Sequence, residues 1–437
     1  MTDCNAAQGA FDRRITLALA VAISLVAGVL IFYYSSLTPR GLYVDANSNT
    51  WFGSDTGRVF NNMTDRTTGH ASTSKHPIFS ILGWSAMRVV MLAGVSPIVA
   101  ARVLLSLNGA AFVGLLFVLV RRLGAPTVTA LACAALAICS ATFRFWFVLP
   151  ETFPFGATSL LMALMPLARL RAGGSPSVLA WIFAAAASLS ITVTSYGLGM
   201  IVTVFAALKA PFSGRLMEAV RALRWRFAIV VGLGSGLLVL AIAAVQRLTF
   251  GGAGMFINVV ALSNDRQFIV KPTSLEVLGR IYTILVSPMV VGMPRLPPSV
   301  TIGPTGYLQH GLSLDGALPA GPLGGVGLAI WAALLAFGTF LALRNWRQLS
   351  VDLACLLFLI FQLALYLIYG NDVFLYVALL FPLEMVLVAS AAMRLGSKIF
   401  VPLAIVLCVA GAVTSIQSAA TAQRSAVSVM ADLARLH

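Results

Sequence analysis

Charge is what this chain has least of. Asp, Glu, Lys and Arg together make up 10% of its 437 residues, against about 25% in a soluble domain. With 59% hydrophobic residues and a mean hydropathy of +0.94, the chain is excluded from the soluble globular class. Cysteine is also scarce. Cys4, Cys133, Cys139, Cys355 and Cys408 show no CxxC spacing and four of them lie in apolar runs, which argues against a disulfide framework or a thiolate metal cluster. Acidic residues number 14 against 29 basic ones, a net charge of +15 that in a soluble protein would suggest nucleic acid. Here no nucleic-acid partner is expected, because the basic residues punctuate alternate ends of apolar runs: Arg13 and Arg14, Arg121 and Arg122, Arg169 and Arg171, the Lys209 to Arg226 cluster, Arg344 and Arg347, Arg394 and Lys398. That is the pattern of cytoplasmic helix ends, and the cluster suits an anionic inner leaflet.

What the chain does have is long apolar runs, from Ile15 to Ile416. A hydrocarbon core about 30 Å thick needs about 20 apolar residues per helix. The expectation is an all-α polytopic membrane protein of about 11 transmembrane helices, one transmembrane domain over residues 1–437, multi-pass in the plasma (inner) membrane. The spans fall at about Ile15–Leu37, Val99–Val120, Thr127–Phe147, Phe153–Leu167, the two halves of Trp181–Leu208, Phe227–Val245, Leu323–Leu343, Leu353–Tyr369, Phe374–Ala392 and Phe400–Ile416. No A-x-A site follows the first run, which reads as an uncleaved span. The bilayer is thus the first partner.

Two segments stand outside this scheme. Residues 38–97 form a first extracytoplasmic loop in which Ile78 to Leu92 reads as an interfacial helix, because a crossing there would put Arg121 and Arg122 outside. Residues 246–322 form a second extracytoplasmic segment, rich in Gly and Pro and read as a long structureless loop. Trp181 to Leu208 reads as a hairpin with its tip at Ser195, Tyr196 and Gly197, and Gln417 to His437 as an amphipathic or frayed helix. The acids Asp45, Asp55, Asp65, Glu151, Asp265, Glu276, Asp315 and Asp372 all fall on the outer side, whereas Asp3, Asp12, Glu218 and Asp352 fall inside. Acid placement has little influence on insertion, so topology does not require such an outer cluster.

Three features occur in a particular order: an Asp shortly after the first span (Asp55), a Lys-x-Pro segment closing that loop (Lys75, His76, Pro77), and an acid opening the fourth span (Pro150, Glu151, Thr152). In this the chain resembles the GT-C glycosyltransferases, the polytopic enzymes related to protein O-mannosyltransferases and the lipid A aminoarabinose transferase. The polar tip at Ser195 and Tyr196 and the late segment Tyr376 to Val386 with Pro382 also resemble that family's later spans. The match covers the first 210 residues in order and is weaker beyond. The family's late Arg-Tyr pair is here Leu375 and Tyr376.

The resemblance implies an inverting glycosyltransferase that moves a sugar from a polyprenyl-phosphate donor to a glycan, lipid or protein acceptor at the extracytoplasmic membrane face. Such a transfer needs a base for the acceptor hydroxyl and cations for the departing phosphate. Asp55 is the expected base, following Trp51 and Phe52, whose rings offer a sugar a stacking surface; the position also suits a helix N-cap. Asp45 is the next candidate base, and Arg58 closes the Asp55 turn. Lys75, His76 and Arg295 are the donor-phosphate candidates, with Lys271 behind them. Glu151 with Asp55 would hold a divalent cation, Mg or Mn. Tyr196, Asn371, Asp372 and Tyr376 complete the list, while His70 and Asp65 read as solvated loop residues. Asp55 and Glu151 are expected to face one outward-opening cavity with Lys75 on its rim. A transporter or lipid-linked sugar flippase, or a non-catalytic assembly protein, are the competing readings; spans nearly free of charge favour interfacial chemistry over transport.

Overall fold

The computed structural model describes residues 2–44, 49–208, 212, 218, 221, 223–256, 268–295, 311–314, 316–370 and 372–436. Among them the chain is helical, and its extended pairing is confined to two isolated antiparallel bridges, Ile269 with Tyr369 and Arg295 with Ser313. Among the described residues, eight helices are long and apolar enough to cross a membrane. In chain order the first is α1 (Thr2–Leu37), apolar from Arg14 onward. After the short α2 (Gly41–Val44), α3 (Thr56–Thr64) and α4 (Phe79–Met91) comes α5 (Pro97–Arg122), opened by Pro97 and capped by the Ser96 hydroxyl on the Val99 amide. That start follows from a proline placed where its missing N–H costs nothing.

The expected third crossing is broken. It forms α6 (Thr127–Cys139) and α7 (Ala141–Trp146), parted at Ser140, whose extended backbone ends one helix while its hydroxyl caps the next at Phe143. The carbonyls of Pro288 and Met289 take the freed amides of Thr142 and Ala141, at 3.0 and 3.4 Å. Next are α8 (Thr152–Arg171) and the hairpin α9 (Val178–Ile191) and α10 (Tyr196–Ala207), joined by a 3₁₀ turn over Val193–Ser195. Then follow α11 (Trp225–Thr249), α12 (Ser274–Val286), α13 (Gly321–Arg344), α14 (Val351–Ile368), α15 (Val377–Leu395) and α16 (Ser397–Leu436). One expectation is corrected here. The second outer segment is not structureless, because Thr273 and Glu276 form a reciprocal capping box that starts α12. The last span and the expected tail helix are continuous, since α16 runs unbroken from Ser397 to Leu436 past Ile416.

Burial ranks the helices. The span ending in α15 is 89% buried and that of α1 only 17%, so α15 is the axis of the bundle and α1 faces outward. Gly338 of α13 permits the close approach to α15: a Cβ there would sit 2.1 Å from the Leu387 carbonyl. Exposed Leu17, Leu25 and Val29 on α1 and Leu233 and Leu237 on α11 are what hydrocarbon solvates. The basic helix ends gather at one end of the bundle. Arg121 pairs with Asp12 at 3.0 Å, and Arg171 donates to the carbonyls of Leu349 and Phe205 at 3.1 and 3.0 Å. The 20-residue α8 carries the chain from Thr152 to that end, about 30 Å away.

Candidate functional site

The turn before α3 is built on buried aromatics. Trp51 and Phe52 are buried and pack with Phe145, Trp146 and Phe374, and the Trp51 indole donates to the Phe145 carbonyl at 3.3 Å. These rings therefore belong to the core and not to a sugar-stacking surface, correcting the expectation for Trp51; an indole with its N–H satisfied inside gains nothing from water. The anchored turn takes left-handed backbone at Phe52 and Gly53, with φ of 50 and 69°, a conformation that only glycine adopts freely. A Cβ at Gly53 would stand 3.7 Å from the Cβ of Asp372, so the two loops touch at this point. The turn delivers Asp55 to the start of α3. There it occupies the N-cap position without making a cap bond, and its carboxylate forms an ion pair with Arg58 one turn on.

The Lys75 to Ile78 segment is stitched to the end of α9. The Val193 amide donates to the Lys75 carbonyl and the Ile78 amide to the Ser190 carbonyl, both at 3.1 Å. His76 Nδ1 lies 2.7 Å from the Ile191 carbonyl, which can only accept, so Nδ1 carries the proton and Nε2 is left as an acceptor. Gln246, fully buried at the end of α11, donates to the Pro77 carbonyl at 2.8 Å and accepts from the Ile81 amide at 3.0 Å. Across from His76 lies the start of α8. Glu151 is 3% exposed, and its Oε1 accepts from the Thr152 amide at 2.6 Å and hydroxyl at 2.9 Å. His76 Nε2 lies 3.5 Å from that same hydroxyl, whose single proton the closer Glu151 keeps.

The fourth contribution comes from residues 366–376. Tyr366 and Tyr376 stack in parallel with centroids 3.9 Å apart, and Phe153 meets Tyr376 edge-on. Tyr369 brings its hydroxyl to 3.4 Å from Lys75 Nζ, which also lies 5.0 Å over the Phe268 ring. Asp372 caps the turn over Val373–Tyr376 by accepting from the Phe374 amide at 2.9 Å. Arg280 of α12 fixes this stretch: 7% exposed, it donates to the carbonyls of Tyr366 and Gly370 at 3.1 and 2.9 Å.

Electrostatics tie the acids together. Burial first, and then the nearby charge of Asp55, push Glu151 up to about 7. Burial holds His76 down at about 4. Beside them a polar cavity of about 10 Å³, the room of roughly one water, is lined by Arg58, Asn62, Ser72, Thr73, His76 and Thr152 among others. This differs from the expected outward-opening cavity, since neither carboxylate nor Lys75 lines it. No known protein family, curated protein or solved structure matches this chain.

For a divalent cation the donor set is a poor fit. Among the described residues, no group of three or more His, Cys, Asp or Glu stands close enough to hold a metal. Asp55 is already paired with Arg58, and Glu151 spends an oxygen on Thr152, whereas a hard cation wants several free oxygens at once. Guanidinium and ammonium are the cations this end of the bundle supplies.

The remaining candidates lie apart or elsewhere. The Tyr196 hydroxyl bonds the Gly232 carbonyl at 2.9 Å and Ser235 at 3.0 Å, pinning α10 to α11. Lys271 is exposed just past the bridge of Ile269 to Tyr369. Arg295 is exposed and paired through its backbone with Ser313, next to Leu312, whose amide reaches the Thr50 carbonyl at 3.0 Å. Asp45 and Asn371 lie outside the described residues, as do Asp265 and Asp315. His70 is not a solvated loop residue but fully buried, with Nδ1 2.9 Å from the Ser80 hydroxyl and its ring against Phe250. Gln246, Arg280, Tyr366 and Tyr369 are the contributors that sequence reasoning missed. Of these only Arg280 carries a signal, a lone cation on a helix announced by its capping box.

Proposed function

We propose that the chain is an inverting glycosyltransferase of the plasma (inner) membrane, moving a sugar from a polyprenyl-phosphate donor to an acceptor hydroxyl at the extracytoplasmic face. The observation that carries this reading is convergence. Asp55 with Arg58, Lys75 with His76, Glu151 with Thr152, and Asp372 with Tyr376 come from distant parts of the chain and meet at one end of an apolar bundle.

In this reading Asp55, half-exposed and oriented by Arg58, takes the acceptor proton. Lys75 stabilises the phosphate as the glycosidic bond to it breaks, a charge appearing where the ammonium already stands. His76 stays neutral, so Nε2 accepts a hydrogen bond from substrate or water without adding charge. The short apolar helices α6, α9 and α10 complete the crossings to about 11, and the basic helix ends face the cytoplasm.

The test is turnover in proteoliposomes. With a panel of polyprenyl-phosphate hexoses, pentoses and aminosugars, and a cell-envelope extract supplying acceptor hydroxyls, the wild type should release polyprenyl phosphate from at least one, and Asp55→Asn about 10² to 10⁴ times more slowly. Intact donor crossing the bilayer without release would establish a flippase instead. Neither binding nor release with any donor would leave the assembly-protein reading. For sidedness, Thr67→Cys and Ser175→Cys, both at exposed positions, should label from opposite faces in a cysteine-free background. Labelling of both by an impermeant reagent from one side would overturn the topology.

A further inference from the structure

The middle of α15 carries a carboxyl that the proposed chemistry does not use. Glu384 is fully buried, and both of its oxygens are without a hydrogen-bond partner. One turn to either side, Leu380, Phe381, Leu387 and Val388 are all fully buried too. The facing seam is bracketed by two contacts with α13: Trp331 against Phe381, with centroids 6.4 Å apart, and Gly338 against the Leu387 carbonyl. Between Trp331 and Gly338, α13 carries only Ala, Leu and Phe. Among the other helices packed on α15, Arg169 and Arg171 of α8, Asp352 of α14 and Lys398 of α16 lie toward helix ends, Arg280 midway along α12 is committed to the carbonyls of Tyr366 and Gly370, and Arg144 of α7 and Arg102 of α5 lie over the rings of Tyr34 and Tyr43. Among the described residues, neither oxygen of Glu384 has a hydrogen-bond donor within reach.

An ionised carboxylate in such surroundings has neither water nor a countercharge, a state far costlier than keeping the proton. Even the neutral acid leaves a donor and an acceptor unmade, so Leu would pack the position better if packing were its purpose. We propose that Glu384 is a proton-binding site of the bundle core, closed to water at rest and emptied only when the seam between α13 and α15 opens. Its ligand is the proton itself. The distance to the Asp55 end is short: eight residues along one helix separate Glu384 from Tyr376, about 12 Å.

Infrared difference spectroscopy reads the state directly. The spectrum of wild type minus Glu384→Gln, in lipid at pH 8, should show the carbonyl band of one protonated carboxyl, and in D₂O that band should shift only slowly. Absence of the band would mean an ionised, partnered glutamate and would end the proposal. An immediate shift in D₂O would do the same by showing that water reaches the site. A second variant guards against a structural role: Glu384→Leu should melt at or above the wild-type temperature, and a clear fall would reveal a polar partner and overturn the assignment.

Discussion

Glu151 at the mouth of the bundle and Glu384 in its middle are both buried, yet their surroundings differ in kind. Glu151 accepts two hydrogen bonds from Thr152 and feels Asp55 and Arg58; Glu384 has no partner at all. The first is held near 7, where a modest change in its neighbours decides its charge. The second has no such freedom, because nothing near it can compensate a charge. Burial alone thus keeps a carboxyl protonated for as long as the packing around it stays closed, whereas burial beside donors and charges makes it adjustable in the closed state, and adjustable acids are what proton transfer uses.

The comparison breaks most visibly in turnover. Asp55→Asn should lower donor turnover by about 10² to 10⁴ while donor binding persists, and Glu384→Gln should leave turnover unchanged. Wild-type turnover in purified Asp55→Asn would move the base elsewhere, to Asp45 or, with a pH limb near 7 as its signature, to Glu151.

A smaller effect is expected from the support of the mouth. Arg280→Ala strips two buried carbonyls of a charged donor and should cost about 3 kcal/mol of stability. A thermal melt unchanged from wild type would show that the Tyr366 to Gly370 turn stands without it.

The smallest effect sharpens the comparison through pH. Glu151 is raised from an ordinary 4.5 to about 7, so its contribution is full below 4.5 and is lost as pH rises through 7. His76 is depressed from 6.5 to about 4, so its contribution is full above 6.5 and is lost as pH falls through 4. Between 4.5 and 6.5 the two slopes oppose each other. Glu151→Gln removes one, and its melting temperature should then climb from pH 4.5 to 6.5 more steeply than that of the wild type. Parallel profiles would show that Glu151 contributes no slope between these values and would refute its raised proton affinity.

Much of the architecture was legible because hydrocarbon imposes it: apolar runs of fixed length and basic ends mark α1, α5, α8, α11, α13, α14, α15 and α16. The break at Ser140 was not, since Thr127 to Phe147 reads as one apolar run and the carbonyls that permit the break come from Pro288 and Met289. Asp55, Lys75, Glu151 and Asp372 were legible as polar residues at span ends. The burial of Trp51 and Phe52 was not, because their partners Phe145, Trp146 and Phe374 are remote in sequence. The setting of Glu384 was not legible either, because an acid within an apolar run carries no sign of what its helix packs against.

The backbone stitching of residues 75–78 to the end of α9 has a mechanical consequence. The Lys75 and Ser190 carbonyls are clamped by amides of the opposite segment, and Gln246 grips Pro77 and Ile81 from α11. The ammonium is therefore mounted on the hairpin and its neighbouring helix more than on the loop that encodes it. Any tilt of that hairpin would carry the cation with it, so the distance between Lys75 and Asp55 is set by a rigid lever of helices, and site charge becomes a function of bundle posture.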